Sequence, residues 1–216
     1  MKAKIPLILF IFLIPWILGA EPPTVDDPQA WKGLTPEQIE RVKQGEMVIL
    51  EEPAQEGQSD SRLIRCAMIL DQPIDKVWEL LIYTPNQEKY LSELNRAELV
   101  KRQEDQDFII FYVKLLFISL DYQVNHHFEH DNYYMWWKLD PEYDNDLAHL
   151  EGYWRLYRID ENHTLARYGT KLVVADLIPN SIQEYLTRKN LPASLDATRK
   201  FINSGGKYRK PGYKEK

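Results

Sequence analysis

Residues 118–130 read ISLDYQVNHHFEH. In an extended chain Ile118, Leu120, Tyr122, Val124, His126 and Phe128 fall on one side. Ser119, Asp121, Gln123, Asn125, His127 and Glu129 fall on the other. A period of two this clean marks a β-strand with one buried and one wet face. One-sided strands of this kind belong to antiparallel sheets, because parallel strands are covered on both faces.

Further strands are predicted at about 46–52, 61–70, 96–103, 107–116, 133–139, 148–159 and 164–175, with polar turns between those after residue 96. Close succession without intervening helices makes an antiparallel meander. The inward sets are Met135 and Trp137; Leu150, Gly152, Trp154 and Leu156; and Tyr168, Thr170, Leu172 and Val174. The run DFIIFYVK at 107–114 is apolar on both faces, so Ile109, Phe111 and Val113, or their alternates, point inward.

Helical sequence brackets the strands. In LTPEQIERVKQGE, Thr35 is the N-cap, Pro36 suits the first turn, Gln38 completes a capping box and Gly45 ends the helix. Ile74, Val77, Trp78 and Leu81 form one apolar stripe over 73–83. Thr84–Gln87 and Ser181–Glu184 read as two more capping boxes. Pro192 interrupts the last helical stretch, which runs to about Asn203. Its Leu191, Leu195, Ala197, Thr198 and Phe201 can lie across the apolar face of the sheet.

The ends carry other information. MKAKIPLILFIFLIPWILGA (1–20) has Lys2 and Lys4 before an apolar run and ends in small residues, as a cleaved secretory signal does. The run is shorter than the ~20 apolar residues of a spanning helix, so no stable membrane anchor is expected after cleavage. Residues 21–44 read as a proline-rich, acidic leader with the short helix, 45–204 as the folded domain, and 205–216 as a basic flexible tail. Loss of Lys2 and Lys4 takes the net charge from −6 to −8. That charge argues against a nucleic-acid binder, which needs a basic footprint. Cys66 is the only cysteine, so no intramolecular disulfide forms. An exported domain without one fits a periplasm, or secretion.

Three histidines and two carboxylates in NHHFEHD (125–131) raise the question of a metal site. Strand geometry answers against it. Residues four apart stand about 13 Å from each other, so His126 and His130 cannot share an ion. His127 and Glu129 are about 7 Å apart on one face, too far for two ligands of one ion. His126 is either a core histidine with a satisfied hydrogen bond or a polar contact for a ligand in a cavity. Asp140, Glu142, Asp144, Asp146 and Glu151 match positions 1, 3, 5, 7 and 12 of a calcium loop. Asn145 stands where glycine is usual and strands replace the flanking helices, so an acidic hairpin turn is the plainer reading. There is no nucleophile elbow, CxxC, phosphate-cradling glycine loop or HExxH. No cofactor is expected.

The segment ILDQPIDKVWELLIYTPNQEKYLSEL (69–94) joins a strand, a proline-started helix carrying Val-Trp, and a short helix with Tyr90. EGYWRLYRIDENHTLARYGTKLVVADLIP (151–179) joins a tryptophan strand, a turn, a threonine-containing strand and an Ile-Pro before the last helix. These resemble the START-like superfamily, also called the helix-grip or SRPBCC fold, and within it the polyketide cyclase/dehydrase and coenzyme-Q-binding branches. The resemblance covers about 45–204. It implies an α+β helix-grip fold, a curved antiparallel β-sheet wrapped around a long C-terminal helix, with a hydrophobic cavity between the two. It names no universal catalytic residue.

The expected lining is Leu120, Tyr122, Val124, His126, Phe128, Met135, Trp137, Trp154, Leu156, Tyr168 and Leu172. The expected function is an exported, monomeric binding or carrier protein for a hydrophobic small molecule such as a lipid. A cyclase- or hydrolase-like enzyme using His126, Tyr122 or Tyr168 in the same cavity is the alternative, and a solid interaction module is a third reading.

Overall fold

In the computed structural model the described residues are 21–51, 63–115, 118–175 and 179–215. Residues 1–20, read above as a secretory signal, the polar loop 53–60 and Ile178 lie outside them. Alternating apolar residues build eight strands: β1 (Val48–Glu51), β2 (Leu63–Leu70), β3 (Leu94–Arg102), β4 (Gln106–Leu115), β5 (Ile118–Glu129), β6 (Tyr134–Leu139), β7 (Leu147–Arg158) and β8 (Thr164–Val174). They pair antiparallel in the order β1-β2-β8-β7-β6-β5-β4-β3, one curved open sheet. Across β4 and β5 the register pairs Asp107 with His126, Ile109 with Val124 and Phe111 with Tyr122. This sets the phase that the doubly apolar run left open: Asp107, Ile109 and Phe111 are buried with the inward face of β5.

Two helical groups cover the concave face. Helix α2 (Ile74–Ile82) buries Ile74, Val77, Trp78 and Leu81, the expected stripe. Thr84 does not cap the next helix. It opens a 3₁₀ turn (Thr84–Asn86) and its buried hydroxyl has no partner. A cap must keep extended backbone angles, and a residue inside a turn cannot. Helix α3 (Gln87–Tyr90) follows. Ser181 likewise falls inside a helix (Asn180–Tyr185) whose cap position is Pro179. Pro192 does not break the last helix. A π turn at Leu186–Asn190 precedes it, and Pro192 sits in the first turn of the helix Leu191–Asn203, where its missing N–H costs little. These last two helices, with the π turn between them, form the C-terminal helix. Phe201 stacks on Tyr90 at 4.5 Å. Asn203 accepts from the Asp71 amide at 3.0 Å and donates to its carboxylate at 2.6 Å, tying the helix end to the corner between β2 and α2.

The leader is part of the fold. The Val25 amide donates to the Arg158 carbonyl at 3.1 Å, and the Arg158 amide to the Pro23 carbonyl at 2.8 Å. Helix α1 (Pro36–Lys43) has the predicted Thr35–Gln38 capping box. Ala30, Val42, Val48, Ala67, Tyr157 and Leu165 make a second core on the outer face of the sheet. Arg167, buried on that face, donates to the carbonyls of Ala30 and Lys32. The tail, expected to be flexible, is docked. The Lys210 amide donates to the Lys89 carbonyl at 2.8 Å and its ammonium to the carbonyls of Leu91 and Leu94, while Tyr208 packs against the main core.

Two substitutions test this packing. A Cβ on Gly152 would stand 2.4 Å from the Trp137 ring and 2.6 Å from the Gly169 carbonyl oxygen. Gly152→Ala is therefore expected to cost about 1–3 kcal/mol in chemical denaturation. Arg167→Met should free the leader, so that limited proteolysis cuts within residues 24–45 at a rate well above wild type. An unchanged digestion pattern would show that Arg167 does not hold it.

Candidate functional site

Because each end of the C-terminal helix is pinned, its middle spans the concavity without filling it. A cavity of ≈ 200 Å³ remains between helix and sheet, far more than the ~15 Å³ a single water needs. Leu120, Tyr122, Val124 and His126 of β5 border it, as do Met135 and Trp137 of β6. Trp154 of β7 and Tyr168 and Leu172 of β8 also line it, and Ile64, Phe111, Val113 and Leu150 join them from the sheet. Phe128 and Leu156 do not line it. They share the inward face, but at the end of the sheet that α2 closes. There Trp78 meets His130 at 5.7 Å and Tyr133 at 5.8 Å, edge to face, and Leu156 is fully buried.

On the helix side, Leu191, Leu195 and Thr198 were among the residues expected to lie across the sheet and do line the cavity, whereas Leu186 and the polar residues were not anticipated. Partly exposed Gln87, Glu93, Thr187 and Asn190 form a polar rim. The Tyr185 hydroxyl donates to Glu93 at 3.4 Å, from the helix to the residue just before β3.

The main surprise is Asp107. Its side chain is fully buried, and Oδ1 lies 2.9 Å from Nδ1 of His126, itself 4 % exposed. Oδ2 has no partner. The pair follows from register, since the two residues face each other across β4 and β5. Sequence reasoning missed Asp107 because the strand carrying it gives no phase. The usable signal was the pairing itself: once β5 is phased, its partner strand is too. His126 is thus both hydrogen-bonded and at the cavity wall.

Three other polar groups border or adjoin this space. Burial pushes the Tyr122 and Tyr168 phenols well above the ordinary tyrosine range, so both stay protonated and able to donate. Burial likewise raises the Cys66 thiol to about 12, which leaves it inert as a nucleophile near neutral pH.

The other histidines are occupied elsewhere. His127 stacks on Trp136 at 3.8 Å on the outer face. His130 leaves β5 for a 3₁₀ turn, accepts from the Trp78 indole at 3.3 Å and lies 3.2 Å from the Glu104 carbonyl. In the 140–151 loop Asp140 accepts from Gln123 at 2.5 Å and Asp146 from the Asp121 amide at 2.8 Å, which tie the turn between β6 and β7 to β5. Among the described residues no group of three or more His, Cys, Asp or Glu could hold a metal ion.

Removal of His126 now carries a definite cost. His126→Leu leaves a buried carboxylate without any partner, and should lower unfolding free energy by about 1–3 kcal/mol. Adding Asp107→Leu should recover much of it, because both polar partners are then gone. A double mutant no more stable than the single one would refute the pairing.

No protein-family model matches the sequence, and no curated protein matches it. Solved structures do. The STAR-related lipid transfer protein (fragment 25–204) from Xanthomonas axonopodis superposes with a TM-score of 0.60 at 15% identity, over 72% of this chain and 93% of that one. The Zhui aromatase/cyclase from Streptomyces sp. R1128 gives 0.56 at 15% identity, over 73% and 94%. A START superfamily protein from Mycobacterium smegmatis gives 0.55 at 10% identity, over 66% and 97%. The eight-stranded curved sheet, the C-terminal helix across it and these superpositions agree on one architecture: the chain has the START-like helix-grip fold.

Proposed function

We propose that the chain binds and carries a hydrophobic small molecule, such as a lipid, in the cavity between sheet and C-terminal helix. We further propose that it does so as an exported, periplasmic or secreted monomer. The observation that carries the reading is a partly open ≈ 200 Å³ space walled mainly by aliphatic and aromatic side chains. Each 100 Å² of apolar ligand surface removed from water there contributes about 2.5 kcal/mol. The polar rim of Gln87, Glu93, Thr187 and Asn190 gives the opening a wetted edge. The fold is compatible with this use: one protein that shares it is titled a lipid transfer protein.

A second reading is a cyclase- or hydrolase-like enzyme, and the buried Asp107–His126 pair at the cavity wall favours it. Another protein of the same fold is titled an aromatase/cyclase. In that case the ligand leaves chemically altered, and His126 is the group positioned to take or give a proton.

The two readings separate in one experiment. Native mass spectrometry of the exported protein should show an apolar molecule bound one to one. Extracted and returned to the protein, that molecule should come back unchanged in mass. Its conversion to a product would favour the enzyme. Protein with nothing bound that also takes up nothing from phosphatidylethanolamine/phosphatidylglycerol vesicles would overturn the carrier reading. The same spectra give the N-terminus: a chain beginning at Glu21 is expected, and one retaining Met1 would overturn export.

A further inference from the structure

The register of β4 and β5 places an acceptor-only group behind His126. With a carboxylate oxygen as the acceptor, the 2.9 Å contact between Asp107 Oδ1 and His126 Nδ1 makes Nδ1 the donor. In that tautomer Nε2 is the acceptor, and among the described residues it meets no hydrogen-bond partner. The ring cannot readily turn away. Phe111 and Trp137 stand 6.3 and 5.9 Å from it, and Phe128 lies parallel at 6.4 Å. His126 borders the cavity, so its free ring nitrogen is available to an occupant of a space whose neighbouring wall, Leu120, Val124, Met135 and Trp137, is mostly apolar.

Tyr122 supplies the opposite capability nearby. It lies two residues from His126 on the same face of β5, and its ring stacks on Phe111 at 5.5 Å, the ring that also packs against His126. No protein acceptor for its hydroxyl is found among the described residues. One aromatic side chain thus has an acceptor on one flank and a donor on the other. An oxygen that both gives and accepts a hydrogen bond complements such a pair; an ether or ketone oxygen satisfies the tyrosine and leaves Nε2 buried without a donor.

Resting on the reading of the cavity as a hydrophobic-ligand site, we infer that the occupant is an apolar molecule with one free hydroxyl, an alcohol or a phenol, whose hydrogen is received by Nε2 of His126. Asp107 is the positioning residue that fixes the ring's tautomer, and the pair sets which ligand is chosen. A buried polar group left unpaired by the wrong ligand is what gives hydroxyl-recognising sites their selectivity.

The test uses the full chain and three probes of one shape: 1-naphthol, 1-methoxynaphthalene and naphthalene, titrated by calorimetry. The expected result is 1-naphthol bound about tenfold more tightly than the methoxy compound. The double variant Asp107→Leu/His126→Leu should bind the two equally. A readout on the wild-type protein needs no variant. The ¹⁵N resonance of His126 Nε2 should move on adding 1-naphthol and stay in place with 1-methoxynaphthalene. Equal affinity of the wild type for all three probes, or an Nε2 resonance untouched by bound 1-naphthol, overturns the hydroxyl assignment and leaves the carrier reading standing. Failure of the wild type to bind any of the three sinks the hydrophobic-cavity reading, and this inference with it.

Discussion

A curved antiparallel sheet has more apolar surface on its concave side than one helix can fill, and the rest of this structure follows from how that surface is covered. Helix α2 closes one end, where Trp78 packs against Tyr133 and His130. The C-terminal helix is held at its far end by Asn203 on Asp71 and near its start by Gln183, which bonds the Val174 amide and the Leu172 carbonyl at 3.0 Å each. Between those anchors the helix bridges the sheet without sinking into it. Close packing at both ends and space in the middle is a geometric outcome of the anchoring, and does not need unusual side chains at the cavity.

The buried Asp107–His126 pair sits uneasily in that apolar wall. Burial of charge or polarity without compensation costs free energy, and one carboxylate oxygen here is uncompensated. A core residue of similar shape would be the more stable choice. What the pair supplies in return is a polar contact in an otherwise mostly apolar stretch of the cavity wall. Fold alone does not say what that contact serves, since one architecture hosts carriers and enzymes alike.

Much of the fold was legible because its most informative strand alternates cleanly. Leu120 to Phe128 gave the inward face of β5, and the strand boundaries elsewhere fell within two residues or so of those observed. Four kinds of feature were not legible. Ile109–Ile110 and Phe111–Tyr112 read the same in either phase, so Asp107 could be placed only through its partner strand. Thr84 and Ser181 carry the right residue spacing for capping, but a cap is a backbone conformation, and the prolines beside them set that conformation differently. Phe128 and Leu156 have the inward direction of cavity residues, yet which part of an inward face is open depends on where α2 lands. Nothing in the sequence around Lys210 or Arg167 points to a distant partner, yet both find carbonyls more than a hundred residues away.

The leader's position also fixes an order of events. Among the partners of its first residues are Arg158, Tyr157, Leu165 and Arg167, in the hairpin of β7 and β8. A chain is made from its N-terminus, so residues 21–35 exist long before the surface they cover. They cannot dock until that hairpin has formed, so the segment made early closes the outer face of a strand made more than a hundred residues later.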